Sequence, residues 1–343
     1  MKVNFKQARE FLEKINEKDR VMIFTHKDLD GFAAGILFMK FCEKKKAKVE
    51  VRIIDYGVSR ISDTDLSGFN KILLSDLAPG MVWEDLVKLK DKQILYTDHH
   101  QAEEKSPIPD FVLELRLTSE GYMPSSRTVY ELTEKENKNL YWLSVFGVLS
   151  DMGQLHKIND GFLNEFYKTE KISYEDSNNM TEKVNDIIIY FSASLKSFNK
   201  LAELKEVKDI SKLKKYYDPI EKEFERLESE FNKTKLEFND IVYFYLESEY
   251  KMIKSPLTTG FSTKDPSKIF IFATPKTNGI ISISGRNQSR EYDVSLIMKD
   301  CLSGLKDGLA GGHKVAAGGQ VDKSDLNKFI DRLKQIKLEK YKI

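Results

Sequence analysis

The stretch RVMIFTHKDLDGFAAGILFMKFCEKK, residues 20–45, decides how the rest of the chain is read. Residues 20–26 form a short β-rich run that ends in polar side chains, and residues 31–45 carry apolar residues at helical spacing. Three more apolar runs, VEVRIID (49–55), KILLSD (71–76) and KQILYTD (92–98), also end near an Asp, with helical stretches between some of them. Strands alternating with helices predict a largely parallel α/β sheet. Ligand sites in such sheets lie at the carboxyl ends of the strands, which is where the charged residues of this chain gather.

Working outward, residues 7–17 show helical spacing, as do 125–170 and 180–197. Residues 201–230 hold 16 charged side chains with periodic apolar ones between them, which suits a solvated helical connector. The pattern returns to strands at 240–248, 268–276 and 279–286, and helices are expected at 295–305 and 325–336. AGGHKVAAGG (310–319) reads as a Gly-rich loop. The expected organisation is an N-terminal domain over 1–175, a helical connector over 176–238 and a smaller α/β C-terminal domain over 239–343.

The chain has 343 residues, 55 Lys plus Arg against 54 Asp plus Glu, and a net charge of +1. That balance argues against a strongly cationic nucleic-acid coat protein but leaves room for a local basic patch. Two cysteines, Cys42 and Cys301, exclude a disulfide framework and a cysteine-based zinc finger. No apolar run reaches the length of a membrane span, and the charged N-terminal segment has no signal-peptide core, so no membrane partner and a cytoplasmic location are expected.

Only five histidines occur, and four lie in polar or Gly-rich clusters. His26, Asp28 and Asp30 alternate at a strand end, where extended chain would project them together, and Gly31 permits a tight turn into the helix. Three such groups without a Lys or Arg partner call for a divalent cation. Asp76 closes the third apolar run, before a turn expected at Pro79-Gly80. Asp98, His99 and His100 follow the fourth, and Asp151 ends the apolar helical run GVLSD. Carboxylates and imidazoles without thiolates suit Mn²⁺, and less selectively Mg²⁺, Fe²⁺ or Zn²⁺. Two ions sharing a carboxylate about 3.5–4 Å apart can generate hydroxide and stabilise an in-line phosphoryl displacement. The glycines of 310–319, with His313 and Lys314, and the arginines of ISGRNQSR (283–290) suit an anion.

In this order the five clusters resemble the DHH phosphoesterase superfamily. The name-giving triplet stands at Asp98-His99-His100, and HKDLDG, Asp76, Asp151 and the late GGH loop complete the pattern over nearly the whole chain. The resemblance implies a DHH domain, a connector and a DHH-associated C-terminal domain, with substrate in the cleft between domains. It implies two Mn²⁺ ions, with Mg²⁺ as the substitute. Asp28 and Asp30 would bind different ions, Asp76 would bridge them, and His99 and Asp151 would complete the second. His26 would join the metal ligands, His100 would contact the scissile phosphate, and Asp98 would orient the histidines. Arg286, His313 and the Gly311-Gly312 backbone would hold the substrate's phosphate or terminal nucleotide.

Phe24 stands where nanoRNases and family II pyrophosphatases carry a His, and His26 takes up the spacing seen in archaeal RecJ-like nucleases. The loop reads AGGH where the family often has GGGH. The resemblance therefore implies a Mn²⁺-dependent exonuclease that releases 5′-mononucleotides from single-stranded DNA or RNA or short oligonucleotides. A helicase or replisome protein is a further expected partner. The alternatives are a small-molecule phosphoesterase acting on pAp or cyclic dinucleotides, and a replication or repair scaffold like the degenerate RecJ relatives.

Overall fold

In the computed structural model, which describes residues 1–101, 106–117 and 122–343, the opening stretch forms strand β1 (Arg20–His26) and helix α2 (Leu29–Lys44). The helix begins two residues before the sequence pattern predicts. Asp28 caps it, accepting a hydrogen bond from the Gly31 amide at 3.0 Å. The chain divides into two compact units, Met1–Tyr217 and Asp218–Ile343.

The first unit is built on five parallel strands in the order β2-β1-β3-β4-β5. Besides β1 these are β2 (Lys48–Ile54), β3 (Lys71–Ser75), β4 (Gln93–Asp98) and β5 (Leu113–Arg116). The edge strand β5 is short and its pattern is weak, so the sequence alone does not announce it. Met22, Phe24, Ile72, Leu74, Ile94 and Tyr96 point to one face and form a core with Val82 and Leu86 of α3 (Pro79–Leu86). Pro79, expected in a turn, instead occupies the first position of α3, where its missing amide costs nothing.

On the other face lie α2, α4 (Ser125–Asn137) and α5 (Tyr141–Ser150). Helix α2 is buried almost all round, which explains its weak amphipathic pattern. The remaining helices of this unit are α1 (Phe5–Glu13), α6 (Asp160–Glu170), α7 (Tyr174–Tyr190) and α8 (Leu195–Ala202). Residues 176–217 of the expected connector pack into this unit. Val184, Ile187 and Ile188 of α7 are buried, and Phe198 of α8 meets Phe32 of α2 edge-on at 5.5 Å. Among the described residues, no helix is long and apolar enough to cross a membrane.

The second unit begins within α9 (Lys214–Thr234) and carries a six-stranded sheet, β10-β11-β9-β8-β7-β6. The strands are β6 (Leu236–Phe238), β7 (Ile241–Tyr245), β8 (Ile269–Pro275), β9 (Ile280–Arg286), β10 (Leu309–His313) and β11 (Ala316–Asp322). Only the β7–β8 pair is parallel. One face packs on α11 (Val294–Leu302) and α12 (Leu326–Gln335) through Ile281, Ile283, Met298, Ala317 and Phe329. The other packs on α9 and α10 (Lys254–Lys264) through Phe231, Phe244, Phe261 and Phe272. The stretch 310–319, expected as a loop, is a hairpin. Its glycines pair in register, Gly311 opposite Gly318 and Gly312 opposite Ala317, and only Lys314 and Val315 turn the chain. Tertiary pairing with β9 overrides the low strand preference of glycine here.

Candidate functional site

The carboxyl ends of β1, β3 and β4 lie side by side, because Thr25, Ser75 and Thr97 are register partners across the three strands. Their buried hydroxyls form a polar layer: Ser75 Oγ donates to Thr25 Oγ1 at 3.0 Å, and Thr25 Oγ1 donates to the Gly31 carbonyl. Each strand then delivers its polar cluster just above this layer.

From β1, extended alternation ends at His26. Asp28 is the helix cap and Asp30 sits in the first turn of α2, so helix geometry, not strand alternation, aims them. His26 Nδ1 lies 2.7 Å from Asp28 Oδ2 and 3.7 Å from Asp76 Oδ2. A β-carbon on Gly31 would come within 2.5 Å of the His26 carbonyl, so this turn admits no side chain. Asp30 is buried at the N-terminus of α4. It accepts hydrogen bonds from the Ser125 amide at 2.8 Å, the Ser126 amide at 3.0 Å and the Ser126 hydroxyl. A carboxylate at a helix N-terminus meets both unpaired amides and the positive end of the helix dipole.

Asp76 follows β3 in the left-handed region, φ 58°, where a non-glycine residue is held at a cost. Its amide donates to the Thr97 carbonyl at 3.1 Å. Its Oδ1 is 3.1 Å from His99 Nε2, while its buried Oδ2 makes no hydrogen bond among the described residues. His99 Nε2 also lies 3.4 Å from Asp151 Oδ2 and 3.9 Å from Asp30 Oδ2. Asp151 caps the C-terminal end of α5 and accepts a hydrogen bond from the Tyr122 hydroxyl. Asp98 is fully buried. Its carboxylate accepts from His100 Nδ1 at 2.7 Å, from the His100 amide at 3.1 Å and from the Tyr96 hydroxyl at 2.9 Å.

Among the described residues, three sets of ligand atoms converge within 4.8 Å: His26, Asp28 and Asp76; Asp76, His99 and His100; and Asp30, His99 and Asp151. Asp76 and His99 each belong to two of them, so the sets form one continuous cluster. Burial lowers the charge of His26 and His99, yet the surrounding aspartates outweigh it and raise them to about 11 and about 10. Burial, with the charges of Asp76 and Asp28, pushes Asp151 up to about 7 against the pull of His99. Burial and the charges of Asp76 and Asp151 also raise Asp30, whereas His26 and His99 overcome burial and hold Asp76 below the usual carboxylate range. Among the described residues, the histidines supply the positive charge that faces these clustered carboxylates. Among the described residues, Asp76 Oδ2 and His99 Nδ1 are buried ligand atoms that make no hydrogen bond. This oxygen-and-imidazole set fits divalent Mn²⁺ or Mg²⁺.

Residues without a sequence signature complete the centre. Gly147 lets α5 approach α4, since a β-carbon there would stand 2.4 Å from Ser126 Oγ and 3.2 Å from Asp30 Oδ1. The Tyr122 ring lies between His99, edge-on at 4.7 Å, and His156, stacked at 4.7 Å. Tyr56 stacks on His26 at 4.9 Å and donates no side chain to the cluster; its hydroxyl accepts from the Ala78 amide at 2.6 Å. Pro124-Ser125-Ser126 carries a helix-start signal, but nothing in it points to a carboxylate 95 residues earlier.

The other expected residues lie in the second unit. Arg286, Ala316 and His313 form one row across β9, β11 and β10, and Ser284, Gly318 and Gly311 form the next. Because paired residues share a face, Arg286, Gly311 and His313 belong to one sheet face, opposite the α11 core. Gly312 points the other way, at φ 133°, where a β-carbon would meet the Ala316 carbonyl at 2.5 Å. The Arg286 guanidinium donates to Ser255 Oγ at 3.0 Å, Thr259 Oγ1 at 3.3 Å and the Gly285 carbonyl at 2.9 Å.

This pair of units, one with a metal-binding cluster on a parallel sheet and one with an Arg-His-Gly face, is the architecture of a metal-dependent phosphoesterase. The sequence matches the DHH family, N-terminal domain, over residues 20–147 and the DHHA1 domain over residues 240–338. The chain belongs to the DHH phosphoesterase superfamily. Among solved structures it is similar to an exonuclease RecJ bound to manganese, with 15% identity and a TM-score of 0.71 over 97% of this chain and 94% of that one. It is also similar to CDC45 from Entamoeba histolytica, with 10% identity and a TM-score of 0.69 over 98% and 99%. An exopolyphosphatase-related protein from Bacteroides fragilis shares the fold at 15% identity, with a TM-score of 0.56 over 96% and 95%. A search of curated proteins found no match.

Proposed function

We infer that this protein is an exonuclease that removes 5′-mononucleotides from single-stranded DNA or RNA or short oligonucleotides with two Mn²⁺ ions. The observation that carries this reading is Asp76, a buried carboxylate in left-handed backbone shared between two ligand sets, with one oxygen that makes no hydrogen bond among the described residues. Asp28 with His26 would serve one ion, Asp30, His99 and Asp151 the other, and Asp76 both. Bound, the ions would supply hydroxide at neutral pH and neutralise the phosphoryl oxygens.

The chain's own residues do the rest. A carboxylate can only accept, so Asp98 holds a proton on His100 Nδ1 and, outweighing burial, favours the imidazolium, whose Nε2–H is left to donate to a phosphoryl oxygen of the substrate. The Ser125 and Ser126 amides hold Asp30 in one orientation, and Tyr122 does the same for Asp151. Arg286, His313 and the Gly311-Gly312 backbone hold the phosphate of the substrate end. Recognition at one end agrees with the near-neutral net charge, which does not suit a protein that tracks many phosphates. The RecJ-like spacing of His26, Asp28 and Asp30 supports a nuclease over a small-molecule phosphoesterase.

The test is product analysis with Mn²⁺ on 5′- and 3′-labelled single-stranded DNA and RNA, a dinucleotide and pAp, with an EDTA control. Metal-dependent laddering from one end is the expected result. Cleavage of the dinucleotide or pAp alone moves the substrate to small phosphoesters, and no cleavage at all favours a replisome scaffold.

A further inference from the structure

Residues 152–156 follow the cluster residue Asp151 directly. Met152 stands in left-handed backbone at φ 57°. The Leu155 amide donates to the Met152 carbonyl at 3.1 Å, and the His156 amide to the Gly153 carbonyl at 3.0 Å. Asn159, fully buried, anchors this turn, because its side-chain amide donates to the Gly153 carbonyl at 2.8 Å and to the Tyr122 carbonyl at 2.9 Å. Arg127 holds Asn159 in turn, donating to its Oδ1 at 2.9 Å. The backbone here is tied down, yet it turns large side chains outward. Leu155 is 70% exposed, Met152 39%, and His156 is exposed beside them. Apolar residues scattered singly over a surface need no explanation, but two on one turn, next to an exposed ring at the rim of a metal-binding cluster, do.

Rings connect this turn to the cluster. The His100 and His99 ring centres are 4.5 Å apart, those of His99 and Tyr122 4.7 Å, and those of Tyr122 and His156 4.7 Å, so one row of rings runs from His100 out to the surface. Tyr122 serves both ends of it, because its hydroxyl donates to Asp151 while its ring stacks on His156 at an interplanar angle of 26°. One face of the His156 imidazole is thereby covered, and among the described residues no ring meets the other face. Next to it, the Gln154 amide nitrogen meets the Met152 thioether at 3.9 Å, a weak acceptor that a better one can displace. An open ring face, an apolar neighbour and an underused amide donor suit a nucleobase, which has a π face and polar edges, whereas a bare phosphate or sugar gains little from any of them.

We propose that His156, with Leu155 beside it, is a ledge on which a nucleobase of the substrate stacks, so that this centre takes nucleotides in preference to phosphoesters that carry no base. The inference rests on the reading of the metal cluster given above and names what must stand next to the phosphate held there. The row of rings starts at His100, the histidine that meets the phosphoryl oxygen in that reading, so a phosphate at the cluster brings its own nucleotide or the adjoining one to the ledge. Stacking tolerates any sequence, because every base has a π face. It adds affinity without further phosphate contacts, in keeping with a net charge of +1.

The experiment uses the full chain with Mn²⁺ and compares AMP with ribose 5-phosphate by calorimetry. Both ligands carry the same phosphomonoester, and neither has an internucleotide bond to cleave. The variants are His156→Ala and His156→Phe, each checked by thermal melting. Stacking gives AMP an expected advantage of about tenfold to a hundredfold. In His156→Ala that advantage disappears while the affinity for ribose 5-phosphate and the melting temperature hold, and His156→Phe keeps it. Equal binding of the two ligands by the wild type, an advantage that survives in His156→Ala, or a parallel loss of both ligands in that variant overturns the proposal. A single-stranded decamer with one abasic site, first or second from the cleaved end, then identifies the base. A fall in kcat/KM at either position, absent in His156→Ala, supports the ledge and tells which base occupies it. A His156-dependent AMP advantage with no fall at either position supports it with a small nucleotide as the occupant. If no decamer is cleaved while that advantage persists, the exonuclease reading falls and the ledge stands; if the decamer ladders without any advantage for AMP, the ledge alone falls.

Discussion

Replacing Gly147 by Ala tests how the metal centre is held. In an open helix the change would stabilise by about 1 kcal/mol, because alanine is the better helix former. Here the new β-carbon would stand 2.4 Å from Ser126 Oγ and 2.6 Å from Ser126 Cβ. Overpacking of this kind costs about 1–3 kcal/mol. Pushing Ser126 away also weakens its hydrogen bond to the buried Asp30 carboxylate, worth about 1.5–3 kcal/mol for a charged acceptor. The net expectation is a loss of about 2–4 kcal/mol, a fall of roughly 5–15 °C in melting temperature for a unit of this size. Because Asp30 shares its ligand set with His99 and Asp151, its displacement should also weaken Mn²⁺ binding about tenfold or more. Differential scanning calorimetry and a Mn²⁺ titration followed by electron paramagnetic resonance read the two effects separately. A melting temperature at or above wild type, with unchanged Mn²⁺ affinity, would refute the idea that the close approach of α4 and α5 sets the position of Asp30.

Other expectations follow from individual contacts. Asp76→Asn keeps the volume but removes the shared charge, so hydrolysis and Mn²⁺ retention should be lost while circular dichroism stays native; wild-type turnover with Mn²⁺ would sink the shared-ligand role. Tyr122→Phe loses the hydrogen bond to Asp151 and should lower Mn²⁺ affinity about tenfold with little change in melting temperature, and an unaltered titration would contradict a positioning role. His313→Ala should raise KM and leave kcat nearly unchanged; a fall in kcat alone would place His313 at the chemistry. Lys71 and Asp19 form a buried ion pair at 2.7 Å, and Lys71→Met should cost about 3–5 kcal/mol by stranding the carboxylate. Burial raises the Asp19 carboxyl, but bonds from Lys71 and Asn70 outweigh it and hold it below 3.8. That stabilisation is complete above about pH 4 and is lost as the pH falls further, so the wild-type advantage in melting temperature should shrink in acid.

Much of the protein was legible in its sequence because the relevant signals are local. Apolar runs ending in Asp gave the parallel strands, and the carboxyl-end rule then pointed to Asp76 and Asp98–His100 as the candidate site. The helix signals at 31–45, 295–305 and 325–336 also depend only on neighbouring residues. Their ends shifted by a few positions, as at Asp28, because capping is decided by one hydrogen bond. The DHH triplet and the GGH segment are likewise contiguous, so their residue types were visible at once.

Other features depend on residues far apart in the chain, and only the tertiary structure decided them. The stretch 310–319 is a hairpin because β9 offers it a pairing edge, although its glycines favour a loop. Residues 176–217 join the first unit because Phe198 finds Phe32, 166 positions earlier, which charge density along the connector cannot reveal. Asp30 is held by Ser125 and Ser126, Asp151 by Tyr122, and Gly147 matters only because another helix comes within a methyl group of it. Sequence pattern supplies the donors of the centre, while packing supplies their orientation, their desolvation and hence their chemistry.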